Sequence, residues 1–70
     1  MKFDYSMLKN RIREVFGSVT EFCENCGIDE AEFLEKVNNN KDFSSSEIVI
    51  VCDALHVDEN EIQGFFFTEL

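Results

Sequence analysis

The residue types and spacings that could hold a metal are Cys23 and Cys26, two positions intervening and Gly27 following, and Cys52 with His56, four apart. Together they offer a Cys3His set for zinc, which takes four nitrogen or sulfur ligands in a tetrahedron. Against it, Cys23 and Cys26 fall inside a predicted helix rather than a knuckle loop, and Cys23 and Cys52 suit the role of small core residues. His56 stands at a predicted helix end, where it serves more simply as a C-terminal cation or cap. No metal and no cofactor are therefore expected. Catalysis fares no better. No Ser/His/Asp arrangement, phosphate-cradling Gly loop or carboxylate pair in an apolar cleft can be assembled, and so small a domain has little room for a pocket, so an enzyme is not expected.

Charge and aromatic content say more. Six Lys plus Arg stand against fifteen Asp plus Glu, a formal net charge of −9. The first sixteen residues run the other way, with Lys2, Lys9, Arg11 and Arg13 against Asp4 and Glu14. Lys9 and Arg13 are four apart on one predicted helix face, and Lys36 and Lys41 flank the end of another. Those four are expected phosphate anchors; the alternative is a solvated basic face balancing an acidic domain. Phe65-Phe66-Phe67 poses a geometric problem, because successive helical residues lie about 100° apart and three rings cannot all face one core. A homodimer contact through Phe65, Phe66 and Phe67 is expected, the plainer account being a frayed C-terminus folding Phe65 and Phe66 back onto the core. A second subunit would also relieve the small core of a chain this short, which buries only about 60% of its unfolded surface.

The elements that must position these residues are announced by a repeated start signal: an oxygen-bearing cap followed three positions later by Glu. It occurs at Ser18/Glu21, Asp29/Glu32, Ser44/Glu47 and Asp58/Glu61. The apolar spacing between the starts is helical. Helix one carries Leu8, Ile12, Val15 and Phe16 inward and stops at Gly17. Helix two runs from about Val19 to Cys26 with Phe22, Cys23 and Cys26 inward, and stops at Gly27. Helix three runs from about Glu30 to Val37 on Phe33, Leu34 and Val37, ending in Asn38-Asn39-Asn40, which tolerate left-handed backbone. Helix four spans about Ser45 to Leu55; its β-branched run Ile48-Val49-Ile50-Val51 would suit a buried strand, but the Ser44/Glu47 cap and the Val51/Leu55 continuation favour a helix. Helix five follows Asp58 with Ile62, Phe65 and Phe66. With no Pro and only three Gly, residues 1–70 read as a single all-α domain of five short helices. The longest apolar run, Ile48 to Cys52, is too short to span a membrane, and the start Met1-Lys2-Phe3-Asp4 lacks a secretory apolar stretch. An odd number of cysteines without an export signal points to reduced thiols and a cytoplasmic setting.

Two short helices joined by Gly27-Ile28-Asp29, with Ile28 pinned beneath them, are the geometry of a helix-turn-helix. At this point the sequence resembles the lambda-repressor-like, Cro-type (XRE-like) helix-turn-helix family over essentially its whole length, and most closely its short phage and prophage regulators. The resemblance is carried by Asp4-Tyr5 with Leu8, Arg11-Ile12, Phe16-Gly17, Phe22, Gly27-Ile28, Lys36-Val37-Asn38-Asn39, Phe43-Ser44, Glu47-Ile48, Leu55, Glu61-Ile62 and Phe65-Phe66. It implies a DNA-binding transcriptional regulator that acts as a dimer on a double-stranded operator, with helix three in the major groove. By the same resemblance Glu30, Ala31, Leu34 and Glu35 face the base edges, and Lys9, Arg13, Lys36 and Lys41 the phosphates. The sequence departs from the family where function would reside, since Gly17 to Lys36 carries six acids against Lys36 alone. Phosphate contacts supply most DNA affinity, so an acidic face opposes binding, although an acid can accept from cytosine N4. The alternative is a degenerate helix-turn-helix whose acidic face binds a basic protein partner, as an antirepressor-like or DNA-mimicking module.

Overall fold

A computed structural model describes residues 2–70, which form five helices: α1 (Ser6–Phe16), α2 (Val19–Cys26), α3 (Glu30–Val37), α4 (Ser45–Leu55) and α5 (Glu59–Phe66). Each start is fixed by local chemistry. The Ser18 hydroxyl accepts from the Glu21 N–H at 3.2 Å, and the Asp29 carboxylate from the Glu32 N–H at 3.2 Å. At α4 the box is complete: Ser44 Oγ accepts from the Glu47 N–H at 3.2 Å, and the Glu47 carboxylate accepts from the Ser44 N–H at 2.9 Å. That reciprocal cap is why the β-branched run is helical rather than extended. At α5 the Glu61 carboxylate accepts from the Asp58 N–H at 3.1 Å. α1 lacks a side-chain cap at Tyr5 and is entered through a turn in which the Asp4 carboxylate accepts from the Ser6 N–H at 2.9 Å.

Ends follow the same logic. Gly17 and Gly27 hold φ of +90° and +67°, backbone that costs a side chain dearly. α4 ends instead on His56 at φ +54°, and the connection after α3 passes through Asn39 at φ +65°. Asn39 also does something no local signal announces. Its side-chain oxygen accepts from the Phe3 N–H at 2.9 Å and its amide donates to the Phe3 carbonyl at 2.9 Å, so one amide imitates a strand neighbour for a residue 36 positions away. On its other side the same N-terminal segment meets the chain's end: Phe3 pairs antiparallel with Glu69, the Asp4 N–H donates to the Thr68 carbonyl at 2.7 Å, and the Leu70 N–H to the Lys2 carbonyl at 3.1 Å.

One apolar cluster unites the helices. α1 contributes Leu8 and Ile12, α2 Phe22 and Cys23, α3 Phe33 and Val37, α4 Val51, Cys52 and Leu55, and α5 Phe65 and Phe66, with Tyr5 beside them. Val15, expected inward, is 46% exposed, because Phe16 makes the contact at that end of α1 by stacking edge-on to Phe22, centroids 5.4 Å apart. From there a chain of rings crosses the domain. Phe22 meets Phe33 at 5.3 Å, Phe33 meets Phe43 at 5.9 Å, Phe43 meets Tyr5 at 5.5 Å and Phe66 at 5.2 Å, and Phe3 meets Phe67 at 5.9 Å. Such tilted and edge-on pairs each add about 0.5–1.5 kcal/mol beyond their burial.

The C-terminal aromatic run needs a correction. Phe65 and Phe66 are 2% and 1% exposed, so the chain's own core takes them and they cannot meet a second subunit as expected. The 100° between them is accommodated because α5 is covered on two sides. Phe65 lies under the Arg11 guanidinium, 5.1 Å from its ring centroid, and Phe66 lies against Phe43. Phe67 remains 41% exposed. No helix among the described residues is long and apolar enough to cross a membrane.

Candidate nucleic-acid interface

The α2–turn–α3 unit is built from the turn outward. Gly27 ends α2 in left-handed backbone, the Ile28 N–H returns to the Cys23 carbonyl at 2.9 Å, and Ile28 packs its side chain against the core. Asp29 then caps α3. A further tie crosses between the helices: the Thr20 hydroxyl donates to the Glu30 carboxylate at 2.9 Å. α3 buries Phe33 and Val37 and leaves Ala31, Leu34 and Glu35 exposed, with Leu34 at 39%. α2 is its main helix neighbour. Of the four residues expected to face a groove, three thus form an outward strip, whereas Glu30 is half-buried and drawn back to Thr20.

The expected phosphate anchors divide. Lys36 forms an ion pair with Glu47 of α4 and its side chain is only 12% exposed. This corrects its role: the residue braces α3 against the start of α4 and offers little ammonium to a phosphate. Lys41 pairs with Glu32 at 2.7 Å in the open, and that hydrogen bond and charge hold its ammonium above the usual lysine range. Solvent screens an exposed pair of this kind, so a phosphate can compete for Lys41. Arg13 donates to Asn10 at 2.9 Å, and no ion pair among the described residues involves Lys9 or Arg13. Arg11 is a latch instead. Its guanidinium donates to the Leu55 carbonyl at 3.1 Å and to the Glu61 carboxylate at 3.0 Å while covering Phe65, so it joins α1 to the end of α4 and to α5. Nothing local in the sequence distinguishes Arg11 from its neighbours, because all its partners lie more than forty positions away.

The cysteines and histidine are not brought together. Among the described residues no group of three or more His, Cys, Asp or Glu could hold a metal ion. Cys23 is buried in the core, and burial, with the charge of Glu30 next, pushes its thiol up to about 11. Burial raises the Cys26 and Cys52 thiols as well. His56 occupies the left-handed position that ends α4.

The fold and this surface define an all-α domain of five helices, in which two short helices meet at a glycine turn and the second presents a narrow exposed strip. Residues 1–69 match the family described as "Protein of unknown function (DUF739)", and the chain belongs to that family. No curated protein matches it.

Proposed function

We propose that this protein is a DNA-binding transcriptional regulator of the lambda-repressor-like helix-turn-helix type, acting as a dimer with α3 in the major groove. The observation that carries the reading is the α2–Gly27–α3 unit, in which α3 turns Phe33 and Val37 to the core and Ala31, Leu34 and Glu35 outward. A strip led by a small Ala lets a helix approach base edges closely, Leu34 offers an apolar surface to a thymine methyl, and Glu35 an acceptor to cytosine N4. Lys9, Arg13 and a released Lys41 are the phosphate contacts. The size also suits a pair of copies: the domain measures 28 × 25 × 21 Å, small enough for two to sit on half-sites about 34 Å apart.

A second reading has its own observation. Lys36, the one cation of α3, is turned to Glu47 of α4, while Glu35 stands exposed outside the ion pairs among the described residues, which suits a basic protein partner. One experiment separates the two. Fluorescence anisotropy with duplex DNA from the gene's own upstream region, at about 50 and 200 mM salt, should show binding that weakens by orders of magnitude between them. Glu35→Arg should tighten that binding and steepen its salt dependence. Absence of binding at the lower salt, for the protein and for Glu35→Arg alike, overturns the DNA reading in favour of the partner.

A further inference from the structure

At the end of the molecule formed by the N-terminal segment, the α3–α4 connection and the residues after α5 lies a cleft of about 200 Å³. Phe3, Tyr5, Phe43, Phe66 and Phe67 line it, and Asp42 is the one ionisable carboxylate among its lining residues. The rings stand at steep angles to one another, 90° for Phe3 with Phe67 and 71° for Tyr5 with Phe43, so they meet edge to face rather than as one stacked column. The three ion pairs among the described residues leave Asp42 out. Its charge is felt inside the cleft, since the Tyr5 hydroxyl is raised above the usual phenol range first by burial and then by Asp42.

We propose that this cleft is a binding site for a methylated ammonium group. Aromatic faces attract a cation through the ring quadrupole, and a carboxylate at the rim adds a full opposite charge. The kind of cation follows from hydrogen bonding. A primary ammonium holds its water tightly, and the lining offers its three donors side-chain acceptors only at the Asp42 carboxylate and the Tyr5 hydroxyl, so entering trades strong hydration for few protein hydrogen bonds. A trimethylated ammonium has no N–H to satisfy and a weakly held water shell, so it exchanges water for the aromatic lining at little loss. The volume fits a trimethylammonium head and excludes a drug-sized ligand, which needs about 300 Å³ or more. The inference is independent of the DNA reading, because no residue of α3 lines the cleft.

Tyr5 is the only tyrosine in a chain without tryptophan, so its emission is a built-in reporter at the site. The whole protein is titrated with choline and with tetramethylammonium at constant ionic strength, and in parallel with 3,3-dimethylbutanol, the uncharged equivalent of choline. The expected result is a saturable change in Tyr5 emission in the millimolar range for both cations and roughly tenfold weaker binding of the alcohol. Asp42→Asn and Phe67→Leu, both at exposed positions and checked for unchanged helicity, should each weaken the cations about threefold or more. No saturation, equal affinity for the alcohol, or unchanged binding by both variants each overturns the proposal. A peptide carrying trimethyl-lysine decides the source of the group: much tighter binding than choline assigns it to a modified protein tail, and equal binding to a free small cation.

Discussion

Asn39 provides the sharpest test of how this domain holds together, because one side chain performs two separable tasks. It occupies left-handed backbone at φ +65°, and its amide makes two hydrogen bonds of 2.9 Å to the backbone of Phe3. Replacing it with Ala removes both bonds, about 1 kcal/mol each, and adds the left-handed penalty of about 1 kcal/mol, so the loss should be about 3 kcal/mol. For a domain of this size that is a fall in melting temperature of roughly 12–24 °C. Asn39→Asp keeps the backbone tolerance and an acceptor for the Phe3 N–H while losing the donor, and should cost about 1 kcal/mol. Asn40→Ala, at an exposed neighbour whose side chain makes none of the bonds described, should fall within about 0.5 kcal/mol of the parent. Urea denaturation gives the energies through the shift in midpoint at constant slope, and hydrogen exchange follows the Phe3 amide, which should lose its protection in Asn39→Ala alone. If Asn39→Ala and Asn40→Ala were equally stable, or the Phe3 amide stayed protected, the reasoning that this amide ties the N-terminal segment down would be wrong.

Other consequences can be checked in the same preparations. Glu61 is held below its ordinary 4.5 first by the Asp58 N–H and, among the lowering influences, next by Arg11, so its contribution is present above that range and lost as pH falls through the folded-state value; Glu61→Gln should flatten the acid limb of a stability-against-pH curve. A steep acid limb retained in Glu61→Gln would move the effect to other carboxylates. His56→Gly should raise stability by about 0.5 kcal/mol by relieving φ +54°, and His56→Val should lower it by about 1–2 kcal/mol, both read by urea midpoints. Alkylation with iodoacetamide near neutral pH, followed by mass spectrometry, should label the half-buried Cys26 before the buried Cys23 and Cys52; labelling of Cys23 first would contradict its burial.

What could be read from the chain beforehand was what is decided within a few residues. Ser18, Asp29, Ser44 and Asp58 mark helix starts because a cap and its Glu partner are three positions apart, and Gly17 and Gly27 mark ends because few other residues accept their backbone. Even the ambiguous Ile48–Val51 run is settled by its own cap. What stayed hidden depends on partners brought together only by folding. The Arg11 latch reaches 44 and 50 positions along the chain, Asn39 reaches 36, and Lys36 looked like a free cation until α4 placed Glu47 beside it. The run Phe65-Phe66-Phe67 points to a dimer contact because three successive rings cannot all face one core; the fold answers by burying Phe65 under Arg11 and Phe66 against Phe43 and leaving only Phe67 exposed. On the candidate interface, the family resemblance turns Ala31, Leu34 and Glu35 to the base edges whereas apolar spacing sets Leu34 inward; the fold leaves all three exposed, because Phe33 and Val37 alone fill the core side of α3, and the withdrawal of Glu30 depends on Thr20 of the preceding helix.

The pairing of Lys2 with Leu70 makes the backbone almost a closed loop. Joining the two ends through a short linker would ask for little movement, and the circle so formed would lose chain entropy in its unfolded state worth about 4 kcal/mol for some seventy residues. A circle can also be opened elsewhere, as circular permutation exploits where ends lie close together at the surface. Seen this way Asn39 is a rivet rather than a hinge: it fastens the seam of the ring to the connection between α3 and α4. Any domain attached to either end would depart from the same place, beside Phe3 and Phe67, and would stand at the mouth of the aromatic cleft.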